Sequence, residues 1–298
     1  MSIHGGARLR ELLTAARASG LPLITPGAPN ALTARIIADA GFDALYVSGA
    51  GIANWSLGVP DLGLTTRSEV IHEVERICDA VDIPIVADAD TGYGNALAVR
   101  RTVREFERAG VAAIQIEDQL DPKRCGHFDG KAVIATEEML GKLAAALDAR
   151  RDDSMVIIAR TDARAIDGLD AAIERAIAYS EAGADAIFVE APLDAPELAR
   201  IGAAVPGPLI ANMVEGGKTP LVGRSDLGAM GFDMVIYANL APRAAMKAMQ
   251  EVLTSLRDNG DSAAVTDRIV TMAERNRLTG MDHWRDLDVR YATRGDHR

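Results

Sequence analysis

The residues of this chain best suited to chemistry fall into two groups. The first is the stretch Ile114–His127, Ile-Gln-Ile-Glu-Asp-Gln-Leu-Asp-Pro-Lys-Arg-Cys-Gly-His. It starts as an apolar, β-favouring run, delivers Glu117 and Asp118 at its end and breaks at Pro122. It then presents Cys125 beside Lys123, Arg124, Gly126 and His127. Basic surroundings of this kind lower a thiol pKa and suit it to act as a nucleophile or proton carrier. An inert, exposed loop cysteine is the alternative. The second group is a set of carboxylates, Asp61, Asp88, Asp90 and Glu117, each closing an apolar run or lying in the loop behind one. Projected toward one mouth, they would repel each other without a cation between them. Carboxylates with no His or Cys among them suit a hard ion such as Mg2+ or Mn2+. The same residues also serve as helix caps or as partners for arginine.

The elements that must position these groups recur from residue 20 onward as an apolar run, a polar or glycine-rich loop and an amphipathic helix. The runs are Leu21–Thr25, Ala44–Ser48, Ile83–Ala87, Ala112–Ile116, Met155–Ala159, Ala184–Val189, Pro208–Ala211 and Met234–Tyr237. They read as short strands buried on both faces. Helical spacing lies between them, at Ser68–Ala80, Ala96–Ala109, Thr136–Ala149 and Leu169–Ala182. Gly41, Gly110 and Gly183 follow helical segments in a repeated Ala-Gly pattern, and each fits the left-handed residue that ends a helix. The alternation predicts a (β/α)8 barrel over a single domain, 1–298, with a doubly wound open sheet as the other architecture of this pattern. Residues 243–298 read as a C-terminal helical extension, with helices at Arg243–Leu256 and Ala263–Arg275 and an aromatic, charged tail. In such a barrel the strand ends carry the site. Those ends supply Tyr46, Ser48, Gly49 and Ala50, then Asp88 and Asp90, Glu117, Arg160, Glu190 and Asn212. The long segment from about Gln119 to Ala135 reads as a lid over them.

Composition narrows the function classes. The net charge of −11 argues against a nucleic-acid binder. No apolar run approaches the ~20 residues of a membrane span, and the start lacks an export pattern, so the reading is cytoplasmic. Two cysteines make neither a disulfide framework nor a zinc cluster, and Cys78 sits at helical spacing as a small buried hydrophobe. Gly49-Ala-Gly51 imitates a dinucleotide fingerprint but lacks the third glycine and is not expected to open a helix at Trp55–Pro60. Asp88-Ala-Asp90 begins like a calcium loop, yet Tyr93 and Val99 stand where glycine and glutamate are needed.

The chain resembles the isocitrate lyase and phosphoenolpyruvate mutase superfamily over almost its whole length. Ser48-Gly49, Pro60-Asp-Leu-Gly63, Asp88-Ala-Asp-Thr-Gly-Tyr-Gly-Asn95, Ile116-Glu-Asp-Gln119, Lys123-Arg-Cys-Gly-His127, Ile158-Ala-Arg-Thr-Asp162 and Asn212-Met-Val-Glu-Gly-Gly217 carry the resemblance. It implies a barrel homotetramer with a C-terminal helix exchanged between neighbours. It also implies Mg2+, or Mn2+, held by Asp61, Asp88, Asp90 and Glu117. The substrate would be a small 2-oxoacid or 2-hydroxydicarboxylate, bound by the amides of Gly49 and Ala50 with Ser48, Asp88, Lys123, Gly126, Arg160, Glu190, Asn212 and Arg275. The implied reaction is carbon–carbon cleavage, of the methylisocitrate, 2,3-dimethylmalate or 2-alkylmalate type, to pyruvate or another 2-oxoacid plus a carboxylic acid. Cys125 is implied as the proton donor, Arg160 as the counter to oxygen charge and Tyr46 as base or relay, while His127 and Glu190 position and polarise. Phosphonomutase activity and oxaloacetate hydrolysis or decarboxylation are the alternatives within the same superfamily.

Overall fold

Eight short strands form the centre: β1 Leu23–Pro26, β2 Leu45–Val47, β3 Ile85–Asp88, β4 Ala113–Glu117, β5 Val156–Thr161, β6 Ala186–Val189, β7 Leu209–Asn212 and β8 Met234–Tyr237. The computed structural model that shows them describes residues 5–126 and 130–292. The strands pair in parallel in the order β1-β8-β7-β6-β5-β4-β3-β2. A bridge between Gly27 and Tyr46 joins β1 to β2, so the sheet nearly closes into the expected (β/α)8 barrel. On the other side of β1, where it meets the end of β8, a Cβ on Gly27 would lie 1.8 Å from the Ala238 carbonyl oxygen, so only glycine fits there.

Alternation along the strands separates two cores. Leu45, Val47, Ile85, Ala87, Ile114, Ile116, Ile157, Ala159, Ile187 and Val189 face the surrounding helices. Tyr46, Val86, Ala113, Val156, Ile158, Ala186, Phe188, Ile210, Met234 and Ile236 face the lumen. Leu9, Leu13 and Ala16 of the helix Gly5–Ser19 belong to the lumen cluster with Leu23, Ala44 and Ala112 at the strand starts, so this helix stoppers the amino-terminal end. It lies outside the unit that the sequence reading begins at residue 20.

The connecting helices are set by local chemistry. The side chain of Asn95 accepts from the amides of Leu97 and Ala98, opening the helix Ala96–Ala109. That helix buries Val99, Thr102, Val103, Phe106 and Ala109 along one stripe and ends at Gly110 with φ 97°. Gly41 and Gly183 are also left-handed, with φ of 85° and 97°.

By its contacts the chain divides into two units, Met1–Pro242 and Arg243–Arg298. The helix Leu240–Asn259 runs into the second, which also holds a 3-10 turn, Ala263–Arg268, and helices Met272–Leu278 and Met281–Tyr291. The expected single helix Ala263–Arg275 is therefore broken. Ile269 is extended, and the Thr271 hydroxyl accepts from the Glu274 amide at 3.1 Å to start a new helix. The aromatic, charged tail is helical over Met281–Tyr291. Among the described residues no helix is long and apolar enough to cross a membrane.

Candidate active site

The polar residues at the carboxyl ends of the strands continue the lumen-facing alternation by one step. Tyr46 leads to Ser48, Val86 to Asp88, Ile158 to Arg160, Phe188 to Glu190 and Ile210 to Asn212, while Ala113 leads through Gln115 to Glu117. The packing that seals the lumen below thus aims these side chains into its mouth. Asp90 follows Asp88 in a left-handed conformation (φ 48°), which Asp tolerates better than most residues. Its amide donates to Asp88 Oδ1 at 3.0 Å, and its carbonyl accepts from the Glu117 amide at 2.9 Å. The segment after β2 differs from expectation: residues Gly49–Ile52 and Ala53–Leu57 are helical, with the Ser48 side chain accepting from the Gly51 amide and Gly58 ending the run at φ 67°.

Tyr46, Ser48, Ala50, Asp61, Asp88, Glu117, Lys123, Cys125, Gly126, Arg160, Glu190 and Asn212 line one cavity of about 70 Å3. Gly49 and Asp90 adjoin it: the Gly49 amide donates to Asp88 Oδ2 at 3.4 Å, and Asp90 Oδ1 lies 2.7 Å from Lys123 Nζ. His127 lies outside the described residues. Arg275 belongs to the second unit, where it is exposed and donates to Asn276 Oδ1 at 3.1 Å.

Six carboxylates, Asp61, Asp88, Asp90, Glu117, Asp162 and Glu190, crowd this mouth around three buried cations, Lys123, Lys131 and Arg160. Lys123 Nζ sits 2.7 Å from both Asp61 Oδ1 and Asp90 Oδ1, with its side chain 4% exposed. An ammonium thus stands between two of the carboxylates, Asp61 and Asp90. Among the described residues no three carboxylate, imidazole or thiol groups converge on a common point as they stand. The negative excess still shows. Burial pushes the Asp90 carboxyl up to about 6, with Lys123 opposing and Asp88 reinforcing the rise. Burial likewise raises Glu117, against the pull of Arg160, and Glu117 Oε1 is buried without a hydrogen-bond partner. A hard cation is what such an oxygen set accommodates.

Arg160 is held on three sides, by Asp162 at 2.8 Å, Glu190 at 3.2 Å and Glu117 at 3.3 Å, and it lies 5.1 Å from the centre of the Phe188 ring. Although burial works against its charge, these carboxylates hold it firmly protonated. Burial, then Asp88, keeps the Tyr46 phenol protonated well above its ordinary range. Glu190 Oε1 accepts from its neighbour's amide at 3.0 Å, and that neighbour, Ala191, is left-handed at φ 58°. This is backbone strain at the edge of the cavity.

The segment after β4 is pinned at its base and along its length. Gln119 bridges to Val133, and the Gln119 side chain clasps Arg124 twice, accepting from its amide at 2.9 Å and donating to its carbonyl at 2.8 Å. The Cys125 amide donates to the Asp61 carbonyl at 3.3 Å. Lys131, which the sequence reading does not single out, donates to both the Gly126 carbonyl and Asp162. Behind the site, Asp118 accepts from Thr161, Tyr179, Arg175 and the Asp162 amide, a buried hub that fixes the end of β5. Gly126 packs so closely that a Cβ there would lie 2.5 Å from Arg160 Nη2 and 2.6 Å from Glu190 Cγ.

Comparison with known proteins gives concordant matches. Residues 13–257 match the family model described as phosphoenolpyruvate phosphomutase. The chain is 46% identical to 2,3-dimethylmalate lyase of Eubacterium barkeri over 98% of this chain and 99% of that protein. It is 44% identical to 2-methylisocitrate lyase of Shewanella oneidensis, covering 96% and 97% of the two chains. Among solved structures, oxaloacetate acetylhydrolase bound to 3,3-difluorooxalacetate superposes with a TM-score of 0.91 at 34% identity, covering 99% of this chain and all of that one. Phosphonopyruvate hydrolase in complex with oxalate and Mg2+ superposes with a TM-score of 0.85 at 33% identity, covering 95% and 99%.

Proposed function

This chain belongs to the phosphoenolpyruvate mutase/isocitrate lyase superfamily and is a carbon–carbon lyase enzyme of it, and on that premise we propose a specific reaction. It cleaves a 2-hydroxydicarboxylate of the 2-alkylmalate or 2,3-dimethylmalate type, or a tricarboxylate of the 2-methylisocitrate type, to pyruvate or a similar 2-oxoacid plus a carboxylic acid. The observation that carries this reading is the cavity itself. One enclosure brings a thiol from a loop, a guanidinium from β5 and carboxylates from β3, β4 and β6 to the same space.

Each residue then has a physical role. Arg160, fixed by three carboxylates, presents its remaining donor surface to the oxygens of the 2-oxoacid as charge develops. The C2–C3 bond breaks with its electron pair left on C3, beside the departing carboxylate. Cys125 donates its proton to that carbon. Tyr46, kept protonated by burial, suits a relay rather than a base. Accepting the hydroxyl proton falls to the carboxylates around it. Asn212 Oδ1, buried without a partner, faces a substrate hydroxyl, and Glu190 and Ser48 orient the substrate. Asp61, Asp88, Asp90 and Glu117 would hold a divalent ion such as Mg2+ or Mn2+, with Lys123 moved from between them. That ion would supply Lewis-acid polarisation of the 2-oxygen. The unpartnered Glu117 Oε1 and the Mg2+ complex of phosphonopyruvate hydrolase support this assignment.

The cavity favours an alkyl-substituted dicarboxylate over a tricarboxylate. Phe188, Val214, Ile236 and Ala238 add apolar lining to the cavity that holds the charged groups. A volume of about 70 Å3 is far below the ~300–1,000 Å3 of ordinary ligand pockets, so substrate entry requires the Cys125 segment to move. We further assign the exposed apolar side chains of the second unit, Leu253, Met272, Trp284 and Val289, to packing between subunits of a homotetramer; light scattering on the intact chain tests this.

A substrate panel tests the reaction: 2,3-dimethylmalate, 2-ethylmalate, methylisocitrate, isocitrate, oxaloacetate and phosphonopyruvate, scored for 2-oxoacid release with Mg2+. Release from a 2-alkylmalate is the expected result. Turnover of phosphonopyruvate alone, or of oxaloacetate alone, would replace the proposal with the phosphonomutase-type or hydrolase reading.

A further inference from the structure

Lys131 stands outside the residues assigned so far, yet its side chain is only 2% exposed. A lysine ammonium is almost never fully buried unless paired. Here Nζ donates to Asp162 Oδ1 at 2.6 Å and to the Gly126 carbonyl. The two acceptors belong to different parts of the site. Asp162 is a fixed point just past the end of β5: its side chain takes Arg160 Nε at 2.8 Å and Nη2 at 3.2 Å, and its amide donates to Asp118 at 2.9 Å. Gly126 is the residue after Cys125, on the segment that must move for substrate to enter.

We propose that Lys131 is a positioning residue for Cys125. By drawing the Gly126 carbonyl toward Asp162, its ammonium seats the Cys125 thiol over the cavity. Because Arg160 is held by the same carboxylate, seating of the thiol and alignment of the guanidinium become one event. Gly126 is packed against Arg160 and Glu190 with no room for a Cβ, so the seated arrangement is tight and a short-range tether can hold it. The inference rests on Cys125 being the proton donor of the proposed reaction, but its test does not need turnover.

The experiment compares the intact wild-type enzyme with Lys131→Met, in Mg2+ and pyruvate, by timed alkylation with N-ethylmaleimide and peptide mass spectrometry. Cys78, on the helix Arg67–Cys78 in the barrel wall, reports general loosening and is an internal control. The expected result is at least about a ten-fold faster alkylation of Cys125 with Cys78 unchanged. In steady state kcat falls at least as far, while KM and Mg2+ affinity by calorimetry stay near wild type. An unchanged Cys125 rate overturns the proposal. So does equal acceleration of both thiols, which would make Lys131 a general structural residue. If Lys131→Met does not fold by circular dichroism, Lys131→Gln, which keeps a donor without the charge, is expected to give a smaller effect in the same direction; no effect there is also disproof. Should the thiol result hold while no substrate of the panel yields a 2-oxoacid, the positioning role stands and the specific reaction proposed above falls.

Discussion

Gly126→Ala isolates the closeness of the loop to the site with one methyl group. The added Cβ would lie 2.5 Å from Arg160 Nη2, 2.6 Å from Glu190 Cγ and 2.7 Å from Glu190 Cδ, all inside normal contact. Neither neighbour can swing away freely. Arg160 is 7% exposed and Glu190 1%, and they are ion-paired to each other at 3.2 Å. Gly126 itself is not in a left-handed conformation, so the perturbation is steric and not a backbone penalty. Overpacking of this kind typically costs about 1–3 kcal/mol. The cost is expected to fall on the seated arrangement, because the proposed substrate entry already requires the segment to lift from the barrel. At about 1.4 kcal/mol per factor of ten, the seated population falls roughly 5- to 150-fold, and kcat/KM for 2-oxoacid release falls with it. The melting temperature stays within about 2 °C of wild type, since the fold can escape the clash. The assays are a coupled 2-oxoacid assay and a thermal melt on the same preparation. Wild-type kcat/KM would show that catalysis does not need Gly126 where it lies. A large drop in melting temperature with kinetics intact would show that the clash is borne by the fold.

The other predictions bear on separate parts of the site. Cys125→Ser should abolish 2-oxoacid release while calorimetry still shows Mg2+ and pyruvate binding; turnover near wild type would remove the proton-donor role. Lys123→Met removes the ammonium between Asp61 and Asp90, so in EDTA the variant should melt below wild type, and Mg2+ should raise its melting temperature more than it raises that of wild type. An equal Mg2+ shift in both would mean that Lys123 and the ion do not share those carboxylates. Asp118→Asn leaves Arg175 facing a neutral group inside a buried hub and should cost about 1–3 kcal/mol in urea unfolding. A loss under about 0.5 kcal/mol would make the hub dispensable. Burial pushes the Cys78 thiol up to about 12, so its alkylation should keep rising with pH through the neutral and mildly alkaline range. A plateau below pH 9 would contradict that shift.

What the sequence discloses here and what it hides follow from the range of the interactions concerned. The strands are legible because burial on both faces concentrates apolar residues in short runs; Met234–Tyr237 is read at its observed limits, and the other seven lie within a few residues of theirs. Helices Ala96–Ala109 and Thr136–Ala149 are likewise read at their ends, since a spacing of three to four residues is a local signal in both and Asn95 caps the first. The break at Ile269–Thr271 carried a local signal too, Thr271 three residues before Glu274, but the apolar spacing on either side masks it. The first helix shows Leu9, Leu13 and Ala16 at helical spacing, yet nothing in that spacing says that it stoppers the lumen. The mouth residues are legible as a set because each extends a lumen-facing alternation. Their pairings are not. That Asp61, Asp88, Asp90 and Glu117 at one mouth require a cation is an electrostatic statement the sequence supports; that Lys123, 62 positions from Asp61, sits between two of them depends on the path of a loop. Lys131 is the sharper case. In Gly130-Lys-Ala it looks like any solvated loop lysine, and only the fold brings Asp162, 31 positions away, to the other side of its ammonium. A motif reading finds residues that touch substrate, because the reaction dictates their type. It passes over residues that hold those groups in place, because an amine, an amide or a well-placed water can each do that work. The basic setting of Cys125 therefore signals chemistry at this loop, while the means of seating the thiol emerges once both ends of the Lys131 contact are on the same side of the barrel.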